Sequence, residues 1–487
     1  MKLARVTCIG MARSRWKLCL SAVCAAAATA CAMQPQAVPG PAAPAAAPAP
    51  EPARLPYSST YQAGQSGTPV LIRNATILTG TGTRLDGGDL LLENGRIAAI
   101  GSELTGPDGV AVIDANGRWV TPGLIDVHSH LGVYPSPSIN AHSDGNEATD
   151  PVTAGVWAEH SLWPQDPGFE AALRGGVTTL QILPGSANLI GGRGVTVKNV
   201  WAPTYQAMKF PGAKQGLKMA CGENPKRVYG GRQKAPSTRM GNVAGYRQAF
   251  ADAQDYQEQW KEHEAKQAVF EAKIKPDATP PKPPRRDLRL ETLAAAMQGD
   301  VLVHNHCYRA DEMATMLDLA AEFGFRISAF HHGTEAYKLA DRLAAEGVCG
   351  ALWADWWGFK LEAYDGIQEN IALVDYPDGG CAIVHSDSAE GIQRLNQEAA
   401  KAMTRGIRAG LDIPPERAIR WVTSNAARSL GIEVQTGTLE AGKMADVVIW
   451  NGNPFSVYAL ADQVYVDGVL RFDRAHPSAK PLSDFSL

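Results

Sequence analysis

From about residue 121 to 435 the chain alternates short apolar runs with helical stretches, and this alternation restricts the fold more than any other feature. Candidate strands lie at 124–130, 177–183, 216–221, 301–306, 326–331, 349–353 and 381–385. Helical stretches lie at 311–322, 335–346, 391–409 and 415–429. Strands joined through helices imply a parallel sheet, and a run this long suggests closure on itself. The expectation is an α/β fold with a (β/α)₈ TIM barrel over 121–435. A charged helical stretch at 246–275 and the proline-rich 276–284 interrupt it, an insertion at about 246–290.

Both flanks are β-rich. Val70–Ile72, Leu90–Leu92 and Val110–Ile113 are short apolar runs, with the hairpin dipeptides Asn94-Gly95 after the second and Asn116-Gly117 after the third. Ala445–Trp450 and Val464–Phe472 follow the same pattern, with a turn at Asp467-Gly468. Residues 68–120 and 436–487 are therefore expected to share one small β-sandwich domain.

Lys2, Arg5, Arg13, Arg15 and Lys17 precede an apolar stretch from Leu18 to Ala30. A basic start, a short apolar middle and small residues at the end describe a secretory signal over residues 1–31. Met11 offers a second start. Ala28-Thr29-Ala30-Cys31 resembles a bacterial lipobox, which implies a lipid on Cys31 and a periplasmic protein anchored to the membrane. Cleavage without lipidation is the alternative. Residues 32–67, dominated by Ala and Pro up to Pro56, read as an extended tether.

Loss of residues 1–30 removes five of 46 basic residues, leaving 41 against 50 acidic ones, a net −9. An acidic body has no basic stripe for nucleic acid. The cysteines outside the leader, Cys221, Cys307, Cys349 and Cys381, are widely spaced, and no disulfide framework is expected.

Thr121–His130 ends an apolar strand in His128-Ser-His130. Alternate residues of a strand share a face, so two imidazoles stand together at the strand's C-terminal end, where barrel enzymes carry their sites. Two such nitrogens suit a Zn²⁺-like ion. Other strand ends carry His304-Asn-His306, His331-His332 and His385-Ser-Asp387.

These stretches resemble the amidohydrolase superfamily, in its imidazolonepropionase-like and prolidase-like branch. The resemblance rests on PGLIDVHSH (122–130), GGVTT (175–179), VLVHNH (301–306), HHGTE (331–335), VHSDS (384–388) and GTLEAGKMADVVIWNGNP (437–454). It implies one or two divalent ions, Zn²⁺ in the first instance, with His128, His130 and Asp387 on one metal. It places His304 and His332 on a second. His306 shares a strand face with His304 and stays the alternative, while neighbouring His331 is expected to point away into packing. A bridging group is expected from strand 4, with Glu223 preferred and a carboxylated Lys218 the alternative.

The resemblance implies hydrolysis of a C–N bond in a small-molecule amide, cyclic amide or peptide. Metal-activated water would attack, and Asp387 would shuttle the proton; His385 would orient Asp387 or reach the substrate. Deamination or lactone hydrolysis is the alternative chemistry, and a metal-loaded scaffold the alternative class. Arg193, in the glycine-rich 184–194, could clamp a substrate carboxylate or be a solvated turn residue. Trp353, Trp356 and Trp357 could line a pocket or pack between barrel and helices.

Overall fold

The computed structural model describes residues 57–63, 68–272, 279–356 and 358–477. The leader with Cys31, most of the tether, residues 273–278 of the insertion and Trp357 lie outside them.

The chain opens with β1 (Val70–Leu78), β2 (Arg84–Glu93), β3 (Arg96–Gly101), β4 (Ala111–Asp114) and β5 (Trp119–Pro122). It continues through β6 (Leu124–Ser129), β7 (Val177–Ile182), β8 (Ile190–Lys198), β9 (Gln215–Ala220) and β10 (Val301–Cys307). β11 (Ile327–His332), β12 (Cys349–Leu352) and β13 (Ala382–Val384) follow, and β14 (Val447–Trp450), β15 (Ala461–Val466) and β16 (Val469–Asp473) close the series.

β1–β5 and β14–β16 form one sheet, ordered β16-β15-β14-β5-β1-β2-β3 with β4 on β1. The two chain ends meet where β14 pairs antiparallel with β5, Val447 opposite Pro122 and Trp450 opposite Trp119. Asn94-Gly95 and Asp467-Gly468 have positive φ at both residues, which matches the right-handed twist of hairpin strands. Instead of the expected sandwich, these strands make a single hydrogen-bonded sheet. Its core includes Ile72, Ile77, Leu90, Val120, Val447 and Ile449.

The second sheet runs β6 to β13 in chain order. Its two edges meet without a ladder: the Asp387 amide donates to His128 O at 3.0 Å and the Ser386 amide to Asp126 Oδ1 at 3.2 Å. The result is a nearly closed TIM-like barrel. One strand departs from the all-parallel expectation, because β8 is antiparallel to both β7 and β9. Residues 184–194, read from sequence as a glycine-rich turn, supply its first half. Its Gly192 lies opposite Lys218, and a side chain at 192 would collide with Val156.

Helices cover the barrel by the usual amphipathic logic. Ala310–Phe323 buries Met313, Met316, Leu317, Ala320 and Phe323, a stripe of helical spacing, and stops at Gly324 in the left-handed region. In the insertion, one 33-residue helix, Arg239–Glu271, buries residues only as far as Tyr256.

A second correction concerns the cysteines. Cys221–Cys307 and Cys349–Cys381 are disulfides. The sequence separations of 86 and 32 hid what the barrel juxtaposes: each pair lies on neighbouring parallel strands or their ends.

Candidate metal centre

β6 and the residue that follows it deliver the alternate residues Asp126, His128 and His130 to the barrel interior. His130 Nδ1 lies 2.8 Å from the Leu183 carbonyl. A carbonyl only accepts, so Nδ1 carries the hydrogen and Nε2 keeps a lone pair. That Nε2 faces Asp387 Oδ1 at 3.1 Å, and His128 Nε2 faces the same oxygen at 3.5 Å. His332 Nδ1 stands 3.9 Å from Asp387 Oδ2. The His385 ring stacks on His128 at 5.1 Å between centroids.

Two positive-φ residues make this convergence possible. Asp387 (φ 49°) and His332 (φ 73°) adopt the left-handed conformation at strand ends, which costs about 1–2 kcal/mol for a residue with a side chain. At His332 the turn breaks strand alternation, so neighbouring His331 and His332 both enter the barrel. His331 is a packed core histidine as expected, but it enters the barrel beside His332 instead of pointing the opposite way. Its Nδ1 lies 2.9 Å from His128 Nδ1 and its Nε2 lies 2.9 Å from His304 Nδ1.

His304 was the preferred ligand of its strand, and its position argues otherwise. Both of its ring nitrogens are engaged, by His331 and by Gln181 Nε2 at 3.3 Å. His306, two residues further along, reaches the mouth, 4.5 Å from the His332 ring. Its Nε2 is 3.5 Å from Asn224 Nδ2, and its buried Nδ1 has no partner.

The two bridging candidates are placed differently. Gly222 (φ 80°) turns the chain out of β9, so Glu223 begins a helix and faces Lys360 at 3.8 Å. Lys218 is fully buried, with Nζ 3.3 Å from His128 Nε2. Burial drops its pKa to about 8, partly offset by Asp387. Arg193 lies outside the cluster: its guanidinium binds Thr292 Oγ1 at 2.8 Å and Gln215 Oε1 at 2.9 Å, over the Trp157 ring.

Burial holds the imidazoles of His128, His306, His331 and His332 far below the usual range, and those of His304 and His385 at about 3. All are neutral at pH 7. Burial alone would raise Asp387, but the His130 imidazole beside it keeps its pKa below normal. Beneath them, burial lifts Asp126 to about 7 against its bonds from Ser386 and the His128 amide. Asp126, two residues before His128 on the same face, was overlooked in the sequence although the spacing displays it.

A divalent cation fits this donor set. Bare lone pairs of His130 and Asp387 face each other, an arrangement favourable only with a cation or proton between them. His332 Nδ1 and both nitrogens of His385 are buried with no partner among the described residues. Two overlapping triads, His128–His130–Asp387 and His128–His332–His385, each bring their donor atoms within 4.8 Å of one another.

The mouth is walled by aromatic rings. Trp353 packs 4.3 Å from the His332 ring and 5.4 Å from Trp356. Tyr308 lies between His332 and Phe359. Lys360, unmarked in the sequence, sets its Nζ 4.0 Å above Tyr308 and 3.1 Å from Asn224 Oδ1.

A family model described as amidohydrolase family matches residues 377–472. A solved amidohydrolase from Thermotoga maritima MSB8 is 36% identical with a TM-score of 0.74, covering 83% of this chain and all of that one. The chain belongs to the amidohydrolase superfamily. It is also 34% identical over 449 residues to the amidohydrolase tasK of Hapsidospora irregularis, covering 85% of this chain and 44% of tasK. Imidazolonepropionase of Mesorhizobium japonicum is 26% identical over 420 residues, with 80% and 93% covered. This amidohydrolase-superfamily chain spans less than half the length of the first curated relatives it matches, tasK and two dihydroorotases.

Proposed function

We propose that this chain is a metal-dependent hydrolase that cleaves a C–N bond in a small-molecule amide, cyclic amide or peptide. The observation that carries the reading is that His128 Nε2 and His130 Nε2 both lie within 3.5 Å of one oxygen, Asp387 Oδ1. His128, His130 and Asp387 would hold a first cation, zinc by the nitrogen and carboxylate donor set. His332 and His385 extend the site, with His306 rather than His304 at its rim. A carboxylated Lys218 in place of Glu223 supplies the anion that a second cation needs.

When bound, the cation lowers the pKa of water towards 7 and polarises the scissile carbonyl. Asp387 keeps Oδ2 on the His332 side, where it accepts the proton of the attacking water and returns it to the leaving nitrogen. His385, stacked on His128 and tilted against Trp353, orients the substrate carbonyl. The Trp353, Tyr308 and Phe359 rings exclude water and accept an apolar or planar substituent.

The test is turnover by purified, zinc-loaded protein on N-acyl amino acids, dipeptides, cyclic amides, aminopurines and lactones. Paired release of a carboxylate and an amine is expected; free ammonia from a ring amine would mark deamination. Full metal occupancy with no turnover on the panel contradicts the reading.

We also propose export, with Cys31 lipidated and the body in the periplasm. Two disulfides suit an oxidising compartment. Labelling with a palmitate analogue should mark the wild type and miss Cys31→Ser.

A further inference from the structure

Below the cleft, three imidazoles and an amide form an unbroken line: His128 Nδ1 to His331 Nδ1 at 2.9 Å, His331 Nε2 to His304 Nδ1 at 2.9 Å, and His304 Nε2 to Gln181 Nε2 at 3.3 Å. All four side chains are buried, at most 1% exposed. Within this line, the one ring nitrogen left to face the cleft is His128 Nε2.

A neutral imidazole has one N–H and one lone pair, and a nitrogen–nitrogen contact is a hydrogen bond only with a single hydrogen between the atoms. The line therefore has two coherent settings. In the first, His128 Nδ1–H donates to His331, His331 Nε2–H to His304, and His304 Nε2–H to the Gln181 carbonyl oxygen. His128 Nε2 is then a bare lone pair. In the second, the Gln181 amide donates to His304 Nε2, His304 Nδ1–H to His331, and His331 Nδ1–H to His128. His128 Nε2 then carries a hydrogen and cannot ligate. Each setting holds three ring protons, so choosing between them changes no net charge.

Gln181 presents Nε2 to His304 here, the second setting, and its Oε1 is buried without a partner among the described residues. Rotating the amide by a half turn exchanges the two atoms and produces the first.

We propose that His331, His304 and Gln181 are positioning residues that set the tautomer of His128, so that cation binding and the orientation of a buried amide on β7 are one equilibrium. This rests on the metal-centre reading above. It also gives a reason for two polar rings in a barrel interior that hydrophobic residues could fill, since ligating imidazoles are generally held through their second nitrogen.

The test is zinc affinity by chelator competition, with histidine ¹⁵N NMR to read tautomers. His331→Leu should weaken zinc binding by roughly 10–100-fold. Gln181→Glu, which only accepts, should bind zinc at least as tightly as the wild type. Zinc-loaded protein should show His304 and His331 as Nε2–H tautomers. Thermal melting of each variant separates loss of the relay from loss of folding. Zinc affinity within twofold of wild type in folded His331→Leu, or an Nδ1–H tautomer at His304 in the loaded protein, overturns the proposal. If the wild type bound no zinc, the metal-centre reading would fall, and the relay would be judged in the metal-free protein. There His304 and His331 must share one tautomer, and a mixed pair sinks it.

Discussion

Two layers of histidine lie one above the other in this barrel, alike in residue type and burial and opposite in bonding. In the upper layer, His306, His332 and His385 keep buried ring nitrogens without partners. In the lower layer, His304 and His331 have every ring nitrogen engaged. His128 belongs to both, with Nδ1 bound below and Nε2 facing Lys218 and Asp387 above. Burial of an unpartnered polar atom costs free energy that a fold normally avoids, so the upper layer marks where a ligand is wanted and the lower layer where support is built. Counting histidines would have missed the difference; counting their free nitrogens reveals it.

The comparison breaks most completely if an upper-layer change spares the chemistry. Asp387→Asn should retain metal while kcat falls roughly 10²–10⁴-fold, the range for a positioned proton carrier; unchanged kcat with bound metal would exclude the shuttle. His130→Ala should lower zinc content by elemental analysis, since its Nδ1 is fixed by Leu183 O and Nε2 has no other use; full stoichiometry would remove it from the ligand set.

Lys218 sharpens the comparison through pH. Only its neutral amine attacks CO₂, and burial brings its pKa down to about 8. Carbamate formation in metal-free protein should therefore rise with pH through about 8 and level off above it. The ¹³C carbamate signal from labelled bicarbonate measures this, and Lys218→Met should abolish it. A rise centred near 10.5 would deny the shift. Arg193→Ala supplies the smallest effect. It should leave KM and kcat close to wild type and cost about 1 kcal/mol from lost hydrogen bonds to Thr292 and Gln215. A large increase in KM would restore it to the substrate site.

The alternation of apolar runs and helices made the barrel legible, and period-two spacing placed His128 and His130 on one face. Legibility failed where local backbone overrode period. Glycines at 191, 192 and 194 disguised β8 as a turn, although barrel curvature needs just such side-chain-free positions beside Lys218 and Val156. Alternation demanded opposite directions for His331 and His332, and one left-handed residue annulled it. Glu223 looked available for the metals because Gly222 gives no warning in one dimension of which way it will turn. Lys360 comes from a loop after β12, and only folding brings it beside Tyr308 and Asn224.

An anomalous difference map at the zinc edge, from crystals of the zinc-loaded protein, tests the central claim most directly. A peak about 2.0–2.2 Å from His128 Nε2, His130 Nε2 and an Asp387 oxygen, with His304 still bonded to His331, is the predicted result. Zinc on His304 or Glu223, with none between His128, His130 and Asp387, would contradict it.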